Sequence, residues 1–215
     1  MKTIHLEEAK SVKLMTRFDA KYVITYAHYY DFMNLIQDDF KVVQENDTTL
    51  FKYYTVYFDT NGLDILKAHR AKTPHRQKIR IREYSTGEKL LEIKDKNYHV
   101  TKKTRIPVKS YELNGEKQWV SENSMYDTKN LKKSLSTEFN RMTLVSNDKT
   151  IRITIDFNLK THNFMNGNDW KFDFVIVEIK KPSDEKTMPE IALEKIGCVQ
   201  QGFSKYNVGM TLTTI

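Results

Sequence analysis

Charged side chains recur at every second position in several short segments of this chain. Lys78, Arg80 and Arg82 alternate with Ile79 and Ile81, and Lys103 and Arg105 flank Thr104. Glu92 and Lys94 flank Ile93, Glu178 and Lys180 flank Ile179, and Arg152 and Asp156 share one parity of Ile151–Asp156. Near the N-terminus Arg17, Asp19 and Lys21 alternate with Phe18 and Ala20. These residue types suit the chemistry of a polyanion. A phosphate chain carries charge on every unit, so holding one takes several fixed cations, with Arg making bidentate contacts and Lys acting as a point charge. The same cations stabilise charge that shifts among phosphoryl oxygens during transfer. A hard divalent ion, Mn²⁺ or Mg²⁺, needs only one or two carboxylates beside phosphate oxygens. Glu178, Asp156, Glu92 and Asp19 are the candidates.

Strands must position these groups. Successive side chains of a strand point to opposite faces, so each segment has one apolar face and one ionic face. Two arrangements follow: a sheet whose ionic face meets water, or strands curled into a barrel whose lumen the ionic faces line. Lys and Arg dominate these faces, whereas a solvated face mixes in Ser, Thr and Gln. Strands are expected near 13–24, 51–58, 77–84, 89–95, 99–108, 149–158 and 172–180, with a short one near 206–213. Amphipathic spacing predicts helices over 29–40, 131–142 and 189–196, and Asn61 could cap another running to Ala71. Asn166-Gly167 reads as a hairpin connection and 109–130 as a polar loop. Antiparallel strands with peripheral helices make the class α+β, in one domain over residues 1–215.

Composition narrows the partners. The 215 residues carry 35 Lys and Arg against 28 Asp and Glu, a net charge of +7, which favours an anionic partner. Charged residues at 29% and hydrophobics at 39% are a normal globular balance, without the signature of disorder. The single cysteine, Cys198, has no internal disulfide partner and reads as a small buried hydrophobe. No leader-like segment or run of about 20 apolar residues is present, so a cytoplasmic chain is expected. The six histidines lack zinc-ligand spacing, and there is no Walker loop, dinucleotide glycine motif or nucleophile elbow. Tyr53-Tyr54 and Tyr57-Phe58 lack interleaved basic residues and read as packing, which argues against nucleic acid.

Eight strings, in this order, resemble the polyphosphate polymerase domain of the vacuolar transporter chaperone (VTC) family, within the triphosphate tunnel metalloenzyme (CYTH-like) superfamily. They are Arg17-Phe-Asp-Ala-Lys21-Tyr22, Tyr57-Phe-Asp-Thr60, His75-Arg-Gln-Lys-Ile-Arg-Ile-Arg-Glu-Tyr84 and Leu91-Glu-Ile-Lys94. Lys102-Lys-Thr-Arg105, Ile151-Arg-Ile-Thr-Ile-Asp156, Val177-Glu-Ile-Lys180 and Phe203-Ser-Lys-Tyr206 complete the set.

The resemblance implies an antiparallel β-barrel enclosing a basic tunnel, with peripheral helices. It also implies transfer of the γ-phosphoryl of ATP onto inorganic polyphosphate with Mn²⁺ or Mg²⁺. On that basis Lys21, Arg80, Arg82, Lys94 and Arg152 would be catalytic. Lys78, Lys103, Arg105, Lys180, Ser204 and Lys205 would bind phosphate, with Glu178 and Asp156 facing the metal. Two departures stand out: Gly202 replaces the first Lys of the family's Lys-aromatic-Ser-Lys motif, and Asp19 stands where Glu is usual. The chain resembles a free-standing version without the eukaryotic sensing domain or membrane helices, so passage of product across a membrane would need a separate partner. A tunnel triphosphatase or polyphosphatase and a non-catalytic sensor are the alternatives. The triphosphatases begin with Glu-x-Glu-x-Lys, which Arg17-Phe-Asp-Ala-Lys21 is not, so the polymerase is favoured.

Overall fold

The computed structural model describes residues 1–10, 18–98 and 100–214. Arg17, His99 and the first residues of the strand expected at 13–24 lie outside them. In chain order the first half holds β1 (Lys2–His5), α1 (Leu6–Lys10), β2 (Phe18–Ile24), α2 (Tyr26–Ile36), β3 (Phe40–Gln44), β4 (Phe51–Thr60), α3 (Asp64–Arg70), β5 (His75–Glu83), β6 (Lys89–Asn97) and β7 (Val100–Val108). There follow α4 (Lys117–Asn123), a 3₁₀ turn (Thr128–Asn130), β8 (Leu131–Ser146), β9 (Arg152–Asn163), β10 (Asp169–Lys171), β11 (Val175–Lys181), α5 (Met188–Lys195) and α6 (Lys205–Thr214). The class is α+β, as the alternating strings require.

The strands form one sheet in the order β2-β11-β9-β8-β4-β5-β6-β7, with β1 on β3, β3 also on β8, and β10 on β9. β2, β11 and β9 pair antiparallel, as do β4 to β7; β1 and β3 run parallel. Among the described residues the path ends at β2 and β7, and hydrogen bonds do not close it into a barrel.

Two compact units share these strands. The first takes residues 1–52, 139–159 and 172–203. Its core sets Ala20, Tyr22 and Ile24 of β2 against Ile153 and Ile155 of β9 and Val175, Val177 and Ile179 of β11, covered by Phe32 and Ile36 of α2 and Leu193 of α5. α2 begins where Thr25 Oγ1 accepts from the His28 N–H at 3.1 Å, a side-chain cap for a helix end that otherwise lacks partners. α5 opens with a capping box between Thr187 and Glu190.

The second unit takes residues 53–138 and 160–171 and the chain from Ser204 onward. Val56, Phe58, Ile79, Ile81, Leu91 and Ile93 pack there with Ile65 and Leu66 of α3 and Tyr206 and Met210 of α6. Asp59, not Asn61, caps α3: its carboxylate accepts from the N–H groups of Ile65 and Leu66 at 2.9 and 3.0 Å and from the Tyr206 hydroxyl at 2.6 Å.

Two expected elements take the opposite type, and helix α4 (Lys117–Asn123) lies within the stretch expected as a loop. Residues 131–142, expected helical, belong to strand β8. The apolar positions 131, 135 and 139 lie four apart, an interval that suits one face of a helix and one face of a strand equally. Residues 206–213, expected as a strand, are in helix α6. Tyr206, Gly209, Met210 and Thr213 are its buried side, at helical spacing. Gly209 lets the helix lie close, since a Cβ there would sit 2.7 Å from Leu135 Cδ2 and 3.0 Å from Thr161 Cγ2.

Candidate functional site

Charged side chains gather on one face of β4–β7 in the second unit. Register places Tyr57, Arg80, Glu92 and Arg105 side by side across the four strands. The next row on one side is Lys78, Lys94 and Lys103; on the other side it is Thr55, Arg82, Leu90 and Pro107. The opposite face carries Gln77, Ile79, Ile81, Leu91 and Ile93, all buried. Apolar burial on one side therefore fixes the whole cationic set on the other, because a one-residue slip would exchange the faces.

Glu92 is the counter-charge of this face and is 1% exposed. Arg80 donates to its Oε2 through Nε at 2.8 Å and lies 2.7 Å away through Nη2. The Tyr84 hydroxyl donates to Oε1 at 3.2 Å, and Lys103 forms an ion pair with the same oxygen. Burial works against the Glu92 charge, but Arg80, Arg82 and Lys103 outweigh it and pull the carboxyl down to about 2. For Lys103 burial wins: despite Glu92 its ammonium falls to about 8, with Arg80 and Arg82 pushing the same way. Arg82 is held by Thr55 Oγ1 at 3.1 Å and lies 5.7 Å from the Tyr53 ring centroid. Burial alone would raise the Tyr57 phenol, yet Arg80, Arg82 and Lys205 hold it below its ordinary range. Tyr57 packs in the core, as the sequence reading has it, with its ring stacked on Tyr206 at 5.0 Å, and it stands beside Arg80 in this row.

Ser204 and Lys205 join the same unit at the start of α6. Ser204 caps this helix, accepting from the Asn207 N–H at 3.4 Å, and it accepts from Lys78 Nζ at 3.2 Å. His69 Nε2 lies 3.4 Å from Lys78 Nζ; a lysine only donates, so the imidazole is the acceptor. Gly202 is exposed with open space beside it.

The first unit has its own ionic face. Asp19, Lys180 and Arg152 stand side by side across β2, β11 and β9, as do Lys21, Glu178 and Thr154. Glu178 Oε1 takes Lys180 at 2.9 Å and Lys21 at 3.4 Å, and Lys180 also reaches Asp19 at 3.5 Å. Burial opposes ionisation of Glu178, but Lys180, Lys21 and Arg141 hold it well below the usual carboxylate range. Asp156 is buried, and Arg141 engages both its oxygens, at 2.6 and 2.8 Å. The sequence reading misses Arg141 because it lies in the segment expected to be helical; reading 131–146 at period two would offer it as a strand cation.

No group of three or more His, Cys, Asp or Glu comes together among the described residues. A hard cation that keeps water and takes phosphate oxygens needs as few as one carboxylate from the protein. Glu178 is 18% exposed at its side chain and pairs with Lys180 and Lys21. Asp156 is clasped by Arg141, and Glu92 by Arg80, Lys103 and Tyr84.

Residues 16–214 match the VTC domain, and the chain belongs to that family. Solved structures with this fold include two that cover most of the chain. The PH1819 protein of Pyrococcus horikoshii OT3 has a TM-score of 0.52 at 12% identity, over 92% of this chain and 98% of its own. HpAC1 from Hippeastrum, described as revealing a dominant triphosphatase activity, has a TM-score of 0.53 at 12% identity over the same shares. Comparison with curated proteins gives no match. Among the described residues no helix is long and apolar enough to cross a membrane.

Proposed function

We infer that the chain is a metal-dependent polyphosphate polymerase that moves the γ-phosphoryl of ATP onto inorganic polyphosphate. The observation that carries this reading is the β4–β7 face, where Lys78, Arg80, Arg82, Lys94, Lys103 and Arg105 surround one buried carboxylate. Family membership supports the same substrate class. Arg80 and Arg82 are fixed by Glu92 and Thr55, so their donors are oriented before an anion arrives, as a loose phosphoryl-transfer transition state requires. Lys78, Ser204 and Lys205 hold further phosphate oxygens at the start of α6. Lys21, Arg152 and Lys180 do so in the first unit, where Glu178 would hold Mn²⁺ or Mg²⁺. Such an ion, when bound, neutralises charge on phosphate oxygens.

No protein nucleophile is needed. A terminal phosphate oxygen of the acceptor attacks the γ-phosphorus, a new P–O–P link forms, and the β–γ bridge breaks to release ADP. The triphosphatase activity of the Hippeastrum neighbour favours a second reading, in which water takes the acceptor's place and orthophosphate leaves. Incubation with ATP and Mn²⁺, with products resolved on a gel stained for polyphosphate, tests the choice. A ladder with matching ADP supports the polymerase; ADP and orthophosphate without a ladder mark the hydrolase; ATP binding without ADP marks a sensor.

A further inference from the structure

The cationic face does not stop at Lys78. On β5, Arg76 has the same parity as Lys78, Arg80 and Arg82 and therefore the same face. Register sets Arg76 beside Lys96 of β6, and Lys96 beside Thr101 of β7. The face is thus a ladder of four rows: Arg82; Arg80 with Arg105 about Glu92; Lys78 with Lys94 and Lys103; and Arg76 with Lys96. From Arg82 to Arg76 is six residues of extended chain, about 20 Å at ~3.4 Å per residue. A triphosphate does not fill that length.

The last row is built rather than incidental. Arg76 Nη1 donates to the Thr73 carbonyl at 2.6 Å, which holds the guanidinium in place, and both Arg76 and Lys96 are half-buried. The acidic neighbour on β6, Asp95, turns to the other face, where it accepts from Gln77 Nε2 at 2.9 Å and pairs with His75 at 3.0 Å. The row therefore carries two cations and no carboxylate.

Resting on the polyphosphate reading above, we propose that Arg76 and Lys96 form a distal subsite for a linear phosphate chain. It grips units beyond those held by Lys78, Arg80 and Arg82, and it gives the protein a preference for long chains over triphosphate. The chain lies along β5 and β6, with the Arg76–Lys96 row under its far units.

Titration of the full chain with tripolyphosphate and, separately, with long-chain polyphosphate tests this. Wild-type protein should bind the long chain more tightly. Lys96→Gln should weaken long-chain binding about threefold, and Lys96→Glu about tenfold, the scale expected when one partly exposed charge is removed or reversed. Tripolyphosphate binding should stay within about twofold of wild type on the same scale, and Lys96→Arg should restore the long-chain value. Arg76→Gln adds a second reading of the row; should it fail to fold for want of the Thr73 contact, the Lys96 variants carry the test. Unchanged long-chain binding in Lys96→Glu overturns the subsite, and so does an equal loss for both ligands. If wild-type protein binds tripolyphosphate but gains nothing from length, the subsite is again excluded while the phosphate site stands. Binding of neither ligand would overturn the polyphosphate reading itself.

Discussion

Replacing Glu92 by Gln removes a carboxylate buried among the cations of the β4–β7 face, and the cost follows from its ionisation. Folding lowers the Glu92 carboxyl from an ordinary 4.5 to about 2. At 1.36 kcal/mol per pH unit, that lowering makes the ionised form worth about 3 kcal/mol at neutral pH. Gln resembles the protonated carboxyl in shape and charge, so it forfeits that amount. The figure agrees with the roughly 3–5 kcal/mol lost when one member of a buried pair is removed. The sign is that of a depressed acid: the stabilisation is complete above pH 4.5 and is lost as pH falls toward 2. Urea unfolding of both proteins at pH 7, then at steps below pH 4.5, reads this directly. With a slope of about 2 kcal/mol per molar, the midpoint should drop by about 1.5 M at pH 7. The gap should narrow as the wild-type carboxyl is protonated. A shift under about 0.3 M at pH 7, the scale of an exposed ion pair, would refute the reasoning. So would a gap that ignores pH.

Lys103, drawn down to about 8, is mostly charged at pH 7 and mostly neutral at pH 9. Tripolyphosphate affinity should therefore fall as pH rises from about 8, and Lys103→Arg, which stays charged, should flatten that profile in the same titration. Glu178→Gln should abolish the metal dependence of ADP release while tripolyphosphate binding persists; unchanged dependence on added Mn²⁺ would move the metal to another carboxylate. Gly209→Ala would press a methyl against Leu135 and Thr161 at 2.7 and 3.0 Å. It should lower stability by about 1–3 kcal/mol in a urea melt, and a neutral result would mean that α6 can shift away.

Alternation in Lys78–Arg82 is strict enough that its strand, its buried side and its ionic side are all legible from the residues alone. The rows across that face are not. They depend on register between β5, β6 and β7, which a single segment does not encode. Glu92 shows the consequence: from sequence it serves equally as a metal ligand or a counter-ion. Its pairing opposite both Arg80 and Arg105 is what sets it among cations. Arg141 is hidden because Leu131, Leu135 and Phe139 recur at an interval common to both periods. Helix α6 misleads for a related reason, since Tyr206, Val208, Met210 and Leu212 alternate as in a strand. Its true pattern shows in Gly209, whose missing side chain counts as a buried position only once the neighbouring Leu135 is known.

The measurement that bears most directly on the central claim is phosphorus NMR of the products formed from ATP, Mn²⁺ and a short polyphosphate primer, recorded after the metal is chelated. An Arg80→Ala, Arg82→Ala double variant is run beside the wild type. The signal from mid-chain phosphoryl groups should grow in step with ADP for the wild type, and neither should appear for the double variant. Orthophosphate rising in place of mid-chain signal, or chain growth that survives loss of both arginines, would contradict that claim.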